Sequence, residues 1–140
     1  MKTVIDSNVL AALWDIDEAL NLPAKSALET AQAKGGLIIP APVFAELTAA
    51  PGRTQGFLEK FCEESGIQID WNISETMWRS AGIAFAKYAA RRRKAGEEGP
   101  RRILADFLIG AYAAELGFAL LTLDRRLYRS AFPTVEMPNI

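Results

Sequence analysis

Four carboxylates stand where carboxylates are expensive. Asp6 is the only charged residue from Thr3 to Trp14, Glu46 the only one from Leu37 to Gly52, and Asp106 the only one from Ile103 to Ala114. Asp124 directly follows the apolar run Phe118–Leu123. The chain has 17 acidic residues, and the other 13 lie in polar stretches such as Asp15–Glu18 or Glu63–Glu64, where they read as solvated surface. Burial raises the pKa of a carboxyl group, and an unpaired buried charge costs several kcal/mol. Taken singly, each acid has an ordinary reading. Asp6 can cap the next helix, Asp106 can pair with Arg102 one turn back, Asp124 can be a turn residue before Arg125 and Arg126, and Glu46 can be a half-exposed helix position. Together, four acids isolated in apolar sequence favour a shared site, and one bound cation would compensate them all.

The residue types that are missing narrow the chemistry. The chain contains no histidine and one cysteine, Cys62. A Ser-His-Asp triad, a Cys-His pair, a histidine general base, an internal disulfide and a multi-cysteine zinc site are all excluded. Carboxylates without imidazole select hard, oxygen-seeking cations, Mg²⁺ or Mn²⁺. The net charge of −1 hides an asymmetry: residues 1–86 carry 6 basic and 11 acidic side chains, residues 87–129 carry 10 and 5. Such a segment implies a local anion site rather than general adhesion to polyanions.

The elements that must position these acids follow from pattern. Lys2–Asp6 predicts a short β-branched strand, with Ser7 or Asn8 capping a helix over Val9–Trp14. After a polar loop at Asp15–Pro23, a helix over Ala24–Lys34 stops at Gly35-Gly36. Leu37–Pro40 reads as a second strand, and Pro42 opens a helix to about Ala49. Thr54–Ser65 reads as an amphipathic helix closed by Gly66, Ile67–Asp70 as a third strand, and Ser74 caps a long helix to about Lys94. Ala95–Pro100 is a turn, Ile103–Leu116 a helix ended by Gly117, and Phe118–Leu123 a buried strand. Leu127–Ser130 is a helical turn and Thr134–Met137 an edge strand.

Short apolar strands alternating with helices give an α/β fold: one domain over residues 1–140, with a central parallel sheet between helices. A chain of 140 residues is the usual size of one domain and buries roughly 70% of its unfolded surface. In an open parallel sheet the carboxyl ends of the strands share one edge, where ligands bind. Asp6 and Asp124 each end a strand, Glu46 lies one turn into a helix that follows a strand, and Asp106 sits in the first turn of its helix. The face of that helix carrying Ile103, Ile109, Gly110 and Ala113 is expected to pack on the sheet and aim Asp106 inward. Neither a signal-peptide core nor a membrane-length apolar run is present in the sequence, so a cytoplasmic protein is expected, with no membrane contact.

At these residues the sequence resembles the PIN-domain nucleases, and among them the toxin subunits of VapBC-type toxin–antitoxin pairs. V-I-D-S-N resembles the first-acid motif and carries Asp6; P-A-P-V-F-A-E-L resembles the second and carries Glu46. R-R-I-L-A-D-F-L-I-G-A-Y-A resembles the third, with Asp106, and L-L-T-L-D-R-R-L-Y the last, with Asp124 and the nearby hydroxyl of Thr122. The resemblance implies a PIN-like domain and a Mg²⁺- or Mn²⁺-dependent endoribonuclease, the toxin of a toxin–antitoxin pair. It also implies a homodimer and an antitoxin that occupies the active-site groove. Alternatives are a PIN-fold nuclease of RNA processing that works without an antitoxin, and a catalytically inactive interaction module.

In the expected hydrolysis Asp6 and Asp106 hold the principal ion, and Asp124 and Glu46 complete the cluster or hold a second one. Ser7, Asn8 and Thr122 are candidates to orient ligands or waters, with cap and strand-end roles as the ordinary reading. Arg102 and Arg125, adjacent to the acids, are the expected RNA-backbone contacts. Arg91–Lys94 reads equally well as a phosphate site and as a solvated helix end that favours the dipole. Trp14, Trp71 and Trp78 read as core or partner-contact residues, and the apolar helix Val9–Trp14 as a surface that a partner covers. An aspartyl-nucleophile phosphatase is disfavoured because position 8, two after the first acid, is Asn8.

Overall fold

The computed structural model describes residues 1–97 and 103–140. Part of the expected turn at Ala95–Pro100 therefore lies outside the described residues, as does Arg102. The element order is β1 (Thr3–Ile5), α1 (Ser7–Trp14), α2 (Asn21–Gly35), β2 (Leu37–Pro40), α3 (Ala41–Leu47), α4 (Gln55–Ser65), β3 (Ile67–Asp70), α5 (Glu75–Lys94), α6 (Leu104–Leu116), β4 (Ala119–Leu121) and α7 (Arg125–Ala131). The described strands form one parallel sheet in the order β3-β2-β1-β4. Every residue of β1, β2 and β4 is buried, so both faces of the sheet are covered, as a parallel sheet requires.

The topology decides where a site can form. From β1 the chain steps through β2 to β3 on one side, then returns across the sheet to place β4 on the other side of β1. The switch point lies between β1 and β4, and the crevice beyond their carboxyl ends is where open α/β sheets bind ligands.

Local chemistry explains the boundaries. Thr54 and Ser74 cap α4 and α5 by accepting from the backbone N–H of Phe57 and Met77. Gly66 and Gly117 end α4 and α6 at φ 69° and 68°, a left-handed conformation that disfavours any residue with a Cβ. Pro42 in the first turn of α3 has no N–H to leave unpaired.

Several expectations need correction. Helix α1 is capped by Asp6 rather than by Ser7 or Asn8: Asp6 Oδ1 accepts from the Ser7 N–H at 2.8 Å. Helix α7 starts at Arg125, two residues before the expected turn. Thr134–Met137 is not a strand. It follows Pro133 and precedes Pro138, and it touches the sheet through a bond from the Leu120 N–H to the Glu136 carbonyl at 2.9 Å. Finally, α1 is only in part an open apolar surface: Val9, Leu10 and Ala12 are buried and Leu13 and Trp14 half-buried, while Ala11 is exposed. The large exposed apolar side chains come just after it, at Ile16, Leu20 and Leu22.

Helix α6 differs from the one-faced helix expected. Its whole run Phe107–Ala113 is buried, while Ile103 before it is exposed. A helix buried all round is apolar all round. Gly110 lets it meet the Phe132 ring closely, since a Cβ at that position would lie 2.3 Å from two ring carbons.

Candidate active site

Strands β1 and β4 run in register, with Ile5 opposite Leu121. One further step on each strand brings Asp6 beside Thr122. The Asp6 N–H donates to the Leu121 carbonyl at 2.9 Å, and the Thr122 hydroxyl donates to Asp6 Oδ2 at 2.8 Å. Thr122 Oγ1 in turn accepts from the Asp124 N–H at 2.9 Å, so one hydroxyl links the first and last acids. Asn8 clamps the same corner: its Nδ2 reaches Asp6 Oδ2 at 3.4 Å, and its Oδ1 accepts from the Leu123 N–H at 3.1 Å. Ser7 Oγ donates to Glu46 Oε1 at 3.1 Å, which ties α3 to the end of β1.

Asp6 is only 3% exposed. Burial raises its pKa above the ordinary carboxyl value, the Thr122 and Ser7 hydrogen bonds lower it in part, and the charge of Asp124 raises it again. Glu46 is half-buried and is pushed up to about 7, first by burial and then by the charges of Asp6 and Asp106. The charges acting on these two groups are thus those of the other acids. Salt bridges join Lys60 to Glu64, Arg79 to Glu75 and Arg92 to Glu97. Asp6, Glu46, Asp106 and Asp124 therefore share one edge and one electrostatic field. Among the described residues no group of three or more His, Cys, Asp or Glu side chains is arranged to hold a metal ion. The donor set is nonetheless that of a hard cation: carboxylate oxygens, which at Asp6 and Glu46 are held by hydroxyls and amides and raised first by burial.

Cavities open on both sides of this edge. One of about 480 Å³ adjoins Asp124 and is lined by Arg91, Arg92, Arg126, Tyr88 and Glu97. Another, of about 310 Å³, adjoins Glu46, Ser7 and Asn8, with Trp14 and Arg53 among its walls. The Arg53 guanidinium lies 4.7 Å from the Trp14 ring centroid and 4.9 Å from that of Phe57. A cavity of about 390 Å³ between Met1, Thr3, Lys34 and Ile140 lies at the amino ends of the strands, away from the acids.

The basic residues divide in a way that linear order does not reveal. Arg125 turns away from the cavity: its Nη1 donates to the carbonyls of Met137 at 3.0 Å and Pro138 at 2.8 Å, clasping the C-terminal segment. Its neighbour Arg126 lines the cavity beside Asp124, and Arg91 and Arg92 reach it from α5. Trp14 is half-buried and packs edge-on against Phe57 and Phe61, whereas Trp71 and Trp78 are exposed.

Sequence reading missed one buried group. Tyr128 is 1% exposed, and its phenol ionises far above the ordinary range because of burial and the charges of Asp6, Asp106 and Glu46. It lies four residues after Asp124, one helical turn along. That spacing was readable in the sequence, but it carries meaning only once α7 begins at Arg125.

The fold is shared with known proteins. No curated protein sequence matches the chain. Among solved structures, a toxin-antitoxin complex from Klebsiella pneumoniae superposes with a TM-score of 0.65 at 20% identity, covering 96% of this chain and 95% of that one. FitAcB from Neisseria gonorrhoeae gives 0.64 at 19% identity, covering 98% and 96%. VapC20 from Mycobacterium tuberculosis, described as a Sarcin-Ricin loop cleaving toxin, gives 0.63 at 12% identity, covering 96% and 99%. At these identities the structures share the fold. The family model of the PIN domain matches residues 3–133, from the first residue of β1 to just beyond α7, and the chain belongs to the PIN domain family.

Proposed function

We propose that this chain is a Mg²⁺- or Mn²⁺-dependent endoribonuclease and the toxin subunit of a toxin–antitoxin pair. What supports the reading is that Asp6 feels the charge of Asp124, and Glu46 those of Asp6 and Asp106, beside the sheet's switch point, where burial and like charge raise Asp6 and Glu46. Asp6 and Asp106 would hold the principal ion, with Asp124 and Glu46 completing its surroundings. When bound, the cation supplies Lewis acidity toward the phosphate and an acidified water. Thr122 and Asn8 hold the Asp6 carboxylate in place, and Ser7 holds that of Glu46. The buried floor under Asp6 excludes water from all but the open side of the site.

RNA would approach over the cavity beside Asp124, where Arg126 and Arg91 offer guanidinium groups to the backbone phosphates. This reading moves the backbone contact from Arg125 to Arg126, because Arg125 is engaged with two carbonyls. The structures that share the fold, a toxin-antitoxin complex and a toxin that cleaves the Sarcin-Ricin loop, support a toxin with an antitoxin partner; a second copy of the chain and a cytoplasmic setting belong to the same proposal. Among the described residues no helix is long and apolar enough to cross a membrane. The alternatives of an RNA-processing nuclease and of an inactive module keep the fold but forgo the antitoxin or the chemistry.

The decisive experiment replaces Asp106 by Asn, which keeps the shape and removes the charge. Cleavage of RNA by the wild type should require added metal and vanish with chelator. The variant should lose orders of magnitude in rate while the metal-free protein melts no lower, since like-charge repulsion is relieved. A variant that melts lower yet cleaves at the wild-type rate would overturn the reading.

A further inference from the structure

Arg53 is presented by a tight turn. Pro51 and Gly52 form its centre, Gly52 takes φ 76°, and the Arg53 N–H donates to the Ala50 carbonyl at 3.1 Å. Proline followed by a left-handed glycine is the pattern of a type II turn, which fixes the backbone that follows. The side chain is fixed as well. Its guanidinium lies over the rings of Trp14 and Phe57, and Trp14 packs edge-on against Phe57 and Phe61 at centroid distances of 5.7 and 5.2 Å. Tryptophan offers the strongest ring face to a cation. Here it does so although its buried indole N–H has no hydrogen-bond partner among the described residues, a cost that phenylalanine would avoid.

The guanidinium is held by rings and not by charge. Among the described residues it makes no salt bridge and no side-chain hydrogen bond, although Asp15 and Glu46 line the same cavity. A guanidinium stacked on aromatic faces keeps its N–H edge for hydrogen bonds. The cavity of about 310 Å³ that Arg53 lines also has Ser7 and Asn8 in its wall, and these two side chains reach Glu46 and Asp6. The acids therefore have a cavity with guanidinium groups on either side: Arg53 beside Glu46, and Arg91 and Arg126 beside Asp124.

We propose that Arg53 is a second contact for the RNA backbone, so that the substrate strand crosses the acids from the cavity of Arg126 to the cavity of Arg53. The inference rests on the reading of the centre as a ribonuclease site. A planar guanidinium with its edge open matches the oxygens of a phosphate, which it can grip in bidentate fashion. Holding it on two rings before the substrate arrives reduces the side-chain freedom lost on binding. A strand gripped on one side of the acids can pivot. Grips on both sides hold the phosphodiester between them over the carboxylates, and such positioning is a large part of what an active site contributes to rate. The contact is to phosphate, so it is independent of base sequence.

The test measures binding of a mixed-sequence, single-stranded oligoribonucleotide in chelator over a range of salt concentrations. It compares wild type with Arg53→Met, which covers the rings without charge, and Arg53→Lys, which keeps the charge. Arg53→Met should flatten the slope of log affinity against log salt by roughly 0.7, and its combination with Arg126→Ala by roughly 1.4. Arg53→Lys should keep the wild-type slope while binding more weakly. A wild-type slope in Arg53→Met would overturn the inference and leave the nuclease reading standing. A slope lost as fully in Arg53→Lys as in Arg53→Met would also overturn it, by assigning the loss to disturbed packing on the rings. A wild type that binds no RNA would overturn the ribonuclease reading, and the inference with it.

Discussion

At the scale of single residues, the acids carry a pH dependence whose sign is fixed by burial. Glu46 is raised from 4.5 to about 7 and Asp6 is raised as well, so the folded, metal-free protein holds protons that the unfolded chain releases. Stability from such groups is fully present below their unfolded pKa and is lost as pH rises through the folded value. In chelator the protein should therefore weaken between about pH 4.5 and pH 7.5. The Glu46 share is about 1–2 kcal/mol once solvent screening of its half-exposed carboxyl is allowed for. Denaturant midpoints at pH 5 and pH 8 would show it, and Glu46→Gln should flatten the difference; an equally steep loss in the variant would exclude Glu46 as its source. Adjacent arginines should separate just as clearly. Arg125→Ala leaves two C-terminal carbonyls without their charged donor and should destabilise by about 1–3 kcal/mol. Arg126→Ala should leave the melting midpoint alone but flatten the salt dependence of RNA binding by roughly 0.7 in slope, the share of one phosphate contact on a single strand. Equal salt slopes for wild type and Arg126→Ala would remove that arginine from the backbone path.

Among the elements, α6 bears the most constraint, because it must bury its whole middle, Phe107–Ala113, and still hold Asp106 in its first turn. Gly110 is the position that allows this. Placing a Cβ 2.3 Å from the Phe132 ring would force helix or ring aside, so Gly110→Ala should cost about 1–3 kcal/mol in spite of alanine's better helix propensity. Combining it with Phe132→Leu should recover part of the loss; a simply additive pair would mean the contact is not the cause. Because α6 and α7 flank the acids from one side, the overpacked variant should also weaken metal binding. Here the sequence was partly legible. Its 3.6-residue pattern predicted α6 to within one residue at its start, but an apolar run on every face hides which side meets the sheet. The packing of Gly110 on Phe132 joins segments 22 positions apart, and no local pattern carries it.

At the scale of the whole molecule, the apolar groups left exposed bear on assembly. Ile16 and Leu22 are 86% and 73% exposed, and Trp71 and Trp78 about half so. The proposed second copy and antitoxin would cover such surface. Sedimentation of the isolated chain should report a dimer, and Ile16→Ser with Leu22→Ser should shift it toward monomer without lowering the melting midpoint of the monomer. A wild type that stays monomeric at high concentration would remove self-association from the reading.

The sequence by itself determined the α/β class, the strand and helix order for most of the chain, and the four acids that stand out. Each is a local property: periodicity, caps, glycine stops, and a charge isolated among apolar neighbours. It could not separate Asp6 as a helix cap from Asp6 as a site residue, and the structure shows why the two do not compete, since one carboxylate oxygen caps α1 while the other receives Thr122 from 116 positions away. It could not show that Arg125 clasps the carbonyls of Met137 and Pro138, because adjacency along the chain does not say which way a side chain turns. It also passed over Tyr128, an ordinary aromatic residue until α7 carries it under the acids. Strand order, and with it the crevice between β1 and β4, was decided only by tertiary structure, because parallel pairing joins segments distant in sequence through backbone hydrogen bonds that no side chain announces.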